Sequence, residues 1–374
     1  MINTIVLKVA SPCNLNCTYC YEYNHGDDSW KKKPKRIALS TIDKLSKDIQ
    51  QYIELKKLKA FNVVSHGGEP LLLGPKYMDE MYKIFSNNVD TNIVKFSIQT
   101  NATLINENFI KIFLDNNIHL GISLDGDFDA NKHRIDHQGR ETWSRTIKGI
   151  NIVKEHANHL LSGILSVIDF NSNPTKILET FTKLEVKMVD FLLPFYTHDS
   201  LVTNQKKNLQ VLSNKWFKNL FKIWTENQKY HSIKIRIFED AIQSIITKIP
   251  KTDWFGQNSI SYIVIEADGT YDILDHLKVI GSESSSLRSL KYKIFDKSID
   301  DAVISAEEKS KEFNIFKLPD HCHSCKWSNS CGGGYIPHRY SKKNYFNNSS
   351  FYCDTLYNIF ENSNKFLSKN VERK

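Results

Sequence analysis

Short apolar runs rich in β-branched residues alternate with segments of helical period over the first half of this 374-residue chain. Strands are predicted at residues 5–9, 61–65, 93–99, 118–124, 163–168 and 189–193, with helices between them. The first helix is expected over residues 40–58, with Ser40 at its N-cap and Asp43 as the capping-box partner. Six such strand–helix repeats predict an α/β fold whose parallel sheet closes into a partial, TIM-like (β/α)6 barrel.

The regular alternation of predicted strands and helices ends after residue 194. Long helical stretches are predicted at 206–228 and 233–248, followed by a hairpin with strands at 262–266 and 271–274 around an Ala-Asp-Gly-Thr turn. The rest of the chain is expected to be irregular. We therefore predict a barrel domain over residues 1–230 and a smaller domain over residues 231–374.

Composition excludes several classes of protein. A mean hydropathy of -0.41 predicts no membrane span, and the N-terminus does not resemble a signal peptide, so a cytoplasmic location is expected. The net charge of +8 comes from basic residues spread along the chain, and the dense run at 31–36 is interpreted as a solvated loop. Nucleic-acid and membrane partners are therefore not expected. The seven cysteines are an odd number for a disulfide framework and favour metal binding or catalysis.

The first cysteine cluster (Cys13, Cys17 and Cys20) lies in one short loop after the first strand. Three thiolates can hold three irons of a [4Fe–4S] cube and leave the fourth iron open for reaction. A zinc knuckle with a distant fourth ligand, or three unrelated core cysteines, are the alternatives. The CxxxCxxC spacing, with Tyr19 before the last cysteine, resembles the radical S-adenosylmethionine (SAM) enzymes, which are built on a partial (β/α)6 barrel.

The resemblance implies a [4Fe–4S] cluster whose open iron binds SAM and a reaction that begins with a 5′-deoxyadenosyl radical. It also implies an external electron donor of the flavodoxin or ferredoxin type. Polar groups at the carboxyl ends of the predicted strands match the family's SAM contacts, and an arginine matches the position that faces the SAM carboxylate, although a surface salt bridge would also explain it. The implied cofactor-binding residues are Tyr19, Gly67, Gly68, Glu69, Gln99, Asn101, Ser123 and Arg134.

The second cysteine cluster (Cys322, Cys325, Cys331 and Cys353) has the spacing CxxCx5Cx21C. Four thiolates close a metal site, so structural zinc and a fully ligated iron–sulfur cluster are both compatible with it. The arrangement resembles the SPASM extension of radical SAM peptide maturases, which binds two auxiliary clusters. Here Tyr335 stands at a position that is usually cysteine, and the hairpin has no cysteine. The resemblance therefore implies one auxiliary [4Fe–4S] cluster, in a SPASM/twitch-like domain.

The segment from Cys331 to Ser341 further resembles enzymes that form three-residue cyclophanes in ribosomally made precursor peptides. That resemblance implies a carbon–carbon bond between an aromatic ring carbon and the Cβ of a residue two positions later. The reaction needs an oxidant and a base. The auxiliary cluster could accept the electron or only brace the fold, and Glu266, Asp275 and His338 are candidate bases.

Two other functions remain open. One is a sulfatase-type maturase that oxidises a Cys or Ser to formylglycine, which the missing cysteines disfavour. The other is a non-catalytic protein in which all seven cysteines bind zinc.

Overall fold

The computed structural model describes residues 1–256 and 259–371. Within them the chain forms two compact units, each built from separate chain segments. Unit 1 comprises Met1–Leu124, Lys132–Gly163 and Ile260–Lys309, and unit 2 comprises Asp125–Asn131, Ile164–Ser259 and Ser310–Lys374. The predicted boundary between two domains at residue 230 is a division into two continuous stretches of chain. It stays a prediction.

Unit 1 contains a sheet whose strands lie in the order β10-β9-β8-β1-β2-β3-β4. Strands β1 to β4 and β8 run parallel, and β9 and β10 complete an antiparallel meander at one side. The strands are β1 (Thr4–Ala10), β2 (Phe61–Gly67), β3 (Val94–Thr100), β4 (His119–Ser123), β8 (Tyr262–Ile265), β9 (Thr270–Asp272) and β10 (Ser289–Lys293). The helices are α1 (Leu39–Lys56), α2 (Pro75–Asn88), α3 (Glu107–Asp115), α4 (Trp143–Ala157), α8 (Ser284–Arg288) and α9 (Ile299–Glu312).

Strand β1 lies at the centre of this sheet because most of its side chains are apolar and buried. Ile5, Leu7 and Val9 are fully buried, and Ile5 pairs with Val63 of β2 on one side and Ile263 of β8 on the other. The pairing with β8 joins the hairpin, more than 250 residues later in the chain, directly to the first strand. It therefore brings the carboxyl ends of β1 and β8 to the same edge of the sheet.

Unit 2 contains the parallel strands β5 (Leu161–Val167), β6 (Met188–Leu192) and β7 (Lys234–Ile235), of which β5 begins in unit 1. Helix α11 packs on α6 and α7, and a hydroxyl pair, Ser213 Oγ to Thr355 Oγ1 at 2.7 Å, lies within the α6 contact. The helices of this unit are α5 (Pro174–Lys183), α6 (Thr203–Glu226), α7 (Arg236–Thr247), α10 (Ser328–Cys331) and α11 (Cys353–Val371).

The predicted order of six strands and their intervening helices is confirmed, and so is the hairpin. Two local predictions were wrong. The first helix begins at Leu39 after Ala38, without a capping box, because Asp43 instead pairs with Lys47 (2.7 Å) and accepts a hydrogen bond from Asn88 (3.0 Å). The segment after the hairpin is not irregular, since it forms β10, α9 and α11.

None of the helices in residues 1–256 and 259–371 is both long enough and apolar enough to cross a membrane.

Candidate functional site

The first cysteine cluster lies in a loop that backbone hydrogen bonds fix in place. Asn16 N–H donates to the Ile135 carbonyl (2.8 Å), and Thr18 N–H donates to the His133 carbonyl (3.0 Å). Cys20 N–H closes a turn onto the Cys17 carbonyl (3.0 Å). The conformation of the loop is thus set by main-chain groups, which leaves the thiols available as ligands.

Two thiols of this loop have raised pKa values. Burial raises the pKa of Cys13 to about 12, with Glu69 adding to the increase, and burial raises the pKa of Cys20 to about 12, with Cys17 adding. Leu15 N–H donates to Cys13 Sγ at 3.4 Å. A bound cation is what such buried, mutually repelling thiols need in order to ionise.

No three His, Cys, Asp or Glu side chains in the described parts of the chain are arranged to hold a single metal ion. A cubic cluster makes a different demand, because each cysteine binds its own iron. The donor set and its burial fit such a cluster.

Two glycines at the end of β2 pack against the cysteine loop. Gly67 has a φ of +138°, and a Cβ atom there would lie 2.1 Å from the Ala10 carbonyl oxygen. A Cβ atom on Gly68 would lie 2.2 Å from the Pro12 carbonyl oxygen. Because both neighbours are backbone atoms, only glycine permits this approach.

Glu69 follows these glycines and is fully buried. Its carboxylate accepts hydrogen bonds from Thr100 Oγ1 (2.7 Å), Leu71 N–H (3.0 Å) and Asn101 N–H (2.8 Å). Burial raises its pKa, and these donors oppose the increase. Glu69 therefore ties the end of β2 to the end of β3, a positioning role that the sequence did not reveal.

Asn101, held in this way, bridges to the cysteine loop. Its Nδ2 donates to Asn14 Oδ1 (2.9 Å) and lies 3.9 Å from Cys13 Sγ. At the ends of the next strands, Gln99 Nε2 donates to Ser123 Oγ (2.8 Å).

A Cβ atom on Gly121 would lie 2.3 Å from Gln99 Oε1, so glycine makes room for that side chain. Arg134 Nη1 donates to Tyr19 Oη (2.9 Å). The structure thus gathers the predicted SAM-contact residues in unit 1, and their contact with SAM stays a prediction.

The same edge of the sheet carries a buried network of charges. Lys8 of β1 lies 2.5 Å from Asp275 Oδ2 and 3.1 Å from Glu22 Oε2. Tyr21 Oη donates to Asp275 Oδ2 (2.6 Å). Lys8 also lies 3.4 Å from His66 Nδ1, and burial together with this cation lowers the pKa of His66 to about 3.

Lys278 is the second cation of the network and is only 1% exposed. Its Nζ lies 2.7 Å from Glu22 Oε1, 2.9 Å from Glu266 Oε1 and 3.0 Å from Asp275 Oδ1. Burial alone would raise the pKa of Asp275, but Lys278 and Lys8 hold it well below its ordinary value.

Arg288, a third cation, binds Asp27 (2.9 Å) and Asp272 and lies 3.6 Å from Glu266. The sequence singled out Glu266 and Asp275 but missed Lys8, Glu22, Lys278 and Arg288. Lys8 is a charged residue inside an otherwise mostly apolar strand, whereas Glu22, Lys278 and Arg288 lie in turns or short helices, where a charge gives no signal of burial.

The second cysteine cluster lies in unit 2. Cys322 and Cys325 are joined by a turn (Cys325 N–H to Cys322 carbonyl, 3.1 Å), Cys331 ends α10, and Cys353 begins α11. Burial raises the pKa of Cys331 to about 12 and that of Cys353 to about 11, and in each case other thiols of the cluster add to the increase. Cys331 and Cys353 are therefore electrostatically coupled to other thiols of the second cysteine cluster.

Gly332, directly after Cys331, has a φ of +57°. A Cβ atom on Gly256 would lie 2.3 Å from the Gly332 carbonyl oxygen, so the two backbones touch at this point. The turn that carries Cys331 is thereby braced by a second chain segment.

His338 is fully buried in unit 2 inside an aromatic cluster. Its ring centroid lies 4.9 Å from that of Tyr352, 5.2 Å from Tyr335 and 6.1 Å from Trp254. The structure therefore brings Glu266 and Asp275 together in unit 1 but places His338 in the other unit.

The family model of the radical SAM superfamily matches residues 8–183. This match covers the first cysteine cluster and the strand ends that surround it. Residues 8–183 are therefore similar to the core of the radical SAM superfamily.

Over nearly its whole length the chain is similar to anaerobic sulfatase-maturating enzymes. It is 25% identical over 377 residues to the cysteine-type enzyme of Clostridium perfringens (strain 13 / Type A), covering 96% of this chain and 95% of that protein. It is 25% identical over 343 residues to the serine-type enzyme of Klebsiella aerogenes, covering 89% of this chain and 80% of that protein.

Solved structures agree on the fold. The structure of anSMEcpe with bound AdoMet superposes with a TM-score of 0.83 at 23% identity and covers 99% of this chain and 100% of that one. SuiB of Streptococcus suis gives a TM-score of 0.61 at 15% identity, covering 93% and 77%. The predicted fold class, a radical SAM barrel followed by a C-terminal extension, is confirmed.

Proposed function

We propose that this protein is a radical SAM enzyme that oxidises a ribosomally made precursor peptide at a side-chain Cβ and joins that carbon to a nearby aromatic ring, forming a three-residue cyclophane. The peptide class is supported by relatives named as sulfatase-maturating enzymes and by a SuiB structure bound to the precursor peptide SuiA. The first cysteine cluster would hold a [4Fe–4S] cluster that binds SAM, as AdoMet is bound in anSMEcpe. The second would hold one auxiliary [4Fe–4S] cluster.

The SAM cluster would supply the radical that takes one hydrogen atom from Cβ, and the auxiliary cluster would supply the acceptor for one electron. An electron donor of the flavodoxin or ferredoxin type would reduce the SAM cluster. The chain itself must then accept the proton that the aromatic ring loses when the new bond has formed. Loss of one hydrogen atom, one electron and one proton leaves a product two hydrogens lighter than the peptide.

The contacts of Asp275 are the observation that carries the choice of base. Lys8, Lys278 and Tyr21 all contact its carboxylate, which is held ionised with a low pKa and is therefore a weak base. A ring that has lost an electron after bond formation is a very strong acid, so a weak base is enough to deprotonate it. Asp275 can therefore accept the proton of the ring, and the resemblance of the segment from Cys331 to Ser341 to cyclophane-forming enzymes favours ring coupling as the fate of the oxidised carbon.

A second candidate is sulfatase-type maturation, in which a Cys or Ser becomes formylglycine. It is favoured by the similarity to sulfatase-maturating enzymes over 96% of the chain. Both reactions begin with hydrogen removal at Cβ, so they differ in the fate of the oxidised carbon rather than in the radical step.

The test uses full-length enzyme, reconstituted anaerobically, with SAM, dithionite and two probe peptides. One probe is the short peptide encoded beside the gene, and the other is the Cp18Cys peptide seen with anSMEcpe. We expect the first probe to become two hydrogens lighter, to resist fragmentation between the joined residues and to give no hydrazone with an aldehyde reagent. An aldehyde on the Cp18Cys peptide, with no cross-link in either probe, would refute the cyclophane proposal in favour of sulfatase-type maturation.

Asp275→Asn tests the base. We expect it to form 5′-deoxyadenosine while the yield of cross-link falls about 100-fold or more, the usual range for a general base. Asp268→Asn is the matched control, because Asp268 lies in the hairpin turn, where it pairs with Lys33 at 2.9 Å. It should keep both activities.

A further inference from the structure

Arg339 is a buried cation that is incompletely bound by the protein. It ends a short 3-10 turn (Ile336–Arg339) and is 1% exposed. Its Nε and Nη2 donate to the Phe346 carbonyl (3.1 and 2.8 Å), and Nη2 also donates to the Lys317 carbonyl (2.5 Å). Nη1 has no hydrogen-bond partner among residues 1–256 and 259–371. A buried donor without a partner costs about 1–3 kcal/mol, so this N–H group calls for an acceptor that is not part of the polypeptide.

The position of Arg339 indicates what that acceptor is. Lys317, whose carbonyl it binds, precedes Cys322 by five residues, and the turn that carries Arg339 begins five residues after Cys331. Both acceptors that hold the guanidinium are neutral carbonyls, and no carboxylate in the described chain forms an ion pair with it. Burial lowers the pKa of Arg339 to about 10, and the thiols of Cys322 and Cys331 oppose this decrease.

We propose that Arg339 faces the auxiliary cluster, donates its Nη1–H to a cluster or cysteinyl sulfur, and raises the reduction potential of that cluster. A cluster gains negative charge when it is reduced, so a fixed neighbouring cation stabilises the reduced form. Burial strengthens the effect because little water screens it. Arg339 is thus a positioning and tuning residue that favours electron acceptance, and this role rests on the proposed function only through the presence of the auxiliary cluster.

The test isolates the auxiliary cluster in a background in which all three cysteines of the first cluster are replaced by Ala. Arg339→Gln removes the charge, Arg339→Lys keeps it, and Arg236→Gln is the control from the same unit, because Arg236 pairs with Asp190 (2.8 Å). Redox titration followed by EPR should show the ratio of reduced to oxidised cluster at a fixed potential falling about tenfold in Arg339→Gln, which is 59 mV for one electron. Arg339→Lys should shift less than Arg339→Gln, and Arg236→Gln should not shift.

A second measurement, which does not use Arg339→Gln, covers the case in which that variant does not fold. The background variant is labelled with ¹⁵N-arginine, and pulsed EPR of the reduced cluster should detect a weak ¹⁵N coupling that disappears in Arg339→Lys. Absence of that coupling, or an unchanged potential in a folded Arg339→Gln variant, would overturn the role of Arg339 and leave the proposed function intact. Absence of iron from the background variant would instead overturn the auxiliary cluster itself.

Discussion

Replacement of Lys278 by Met should be among the most damaging single changes in unit 1. Lys278 is 1% exposed and contacts three carboxylates, those of Glu22, Glu266 and Asp275. Without it, the two remaining cations of the network, Lys8 and Arg288, face all five of its carboxylates. Breaking a buried ion pair by removing one partner costs about 3–5 kcal/mol, because the other charge stays buried and uncompensated.

The assay is urea unfolding of the full chain, followed by circular dichroism under anaerobic conditions. At a slope of about 3 kcal/mol per M urea, the loss corresponds to a decrease of about 1 to 1.7 M in the unfolding midpoint at pH 8. Lys111→Met is the control, because Lys111 is 75% exposed and its pair with Asp115 contributes less than about 1 kcal/mol.

The pH dependence has a defined sign. In the wild type the pKa of Asp275 lies below its unfolded value, so its contribution to stability is present above the unfolded pKa and is lost only as the pH falls through the folded pKa. In Lys278→Met a buried carboxylate should have a raised pKa and bind a proton that the unfolded chain does not bind. Because this proton binding stabilises the folded variant as the pH falls, the difference in urea midpoint between wild type and variant should be smaller at pH 5.5 than at pH 8. A midpoint within about 0.3 M of wild type at pH 8, or a deficit equal at both pH values, would refute this electrostatic account.

Three further predictions concern the clusters and their surroundings. Anaerobic reconstitution should give about eight irons per chain by colorimetric assay, and replacement of all three cysteines of the first cluster by Ala should halve that number and abolish 5′-deoxyadenosine. About twelve irons, or stoichiometric zinc, would contradict it. A folded Cys353→Ala variant should keep SAM cleavage but lose the cross-link, and a variant that lacks the auxiliary cluster yet still delivers the lighter peptide would exclude that cluster as electron acceptor. Glu69→Gln should place an amide NH2 group against the Asn101 N–H or the Thr100 hydroxyl and lower the free energy of unfolding by about 1–3 kcal/mol. We expect it to weaken SAM binding, measured by equilibrium dialysis. Unchanged affinity would show that Glu69 does not position this edge of the sheet.

Local sequence was sufficient for the order of elements and for the grouping of the cysteines. The spacing of apolar residues along a strand or helix indicates which face of that element is buried. This spacing depends only on residues close together in the sequence, so it can be read without knowledge of the fold. The cysteine spacings likewise place several thiols in one turn or one loop without help from distant residues. The glycines of the His-Gly-Gly-Glu-Pro segment were located correctly for the same reason, although their contacts with the Ala10 and Pro12 carbonyls were not foreseen.

The charge network and the tuning arginine depend on tertiary structure. Lys8 and Asp275 are more than 260 residues apart and meet because β8 pairs with β1, a choice made by the complementary burial of two apolar strands rather than by any local pattern. Arg339 was visible in the sequence, but only the fold shows that its guanidinium is buried against two backbone carbonyls, with one nitrogen that has no partner among residues 1–256 and 259–371. Residue types and short spacings therefore determined where the two cysteine clusters lie in the chain. Long-range strand pairing and burial decided which charges surround them, because electrostatic energies depend on distance and solvent exposure rather than on position in the chain.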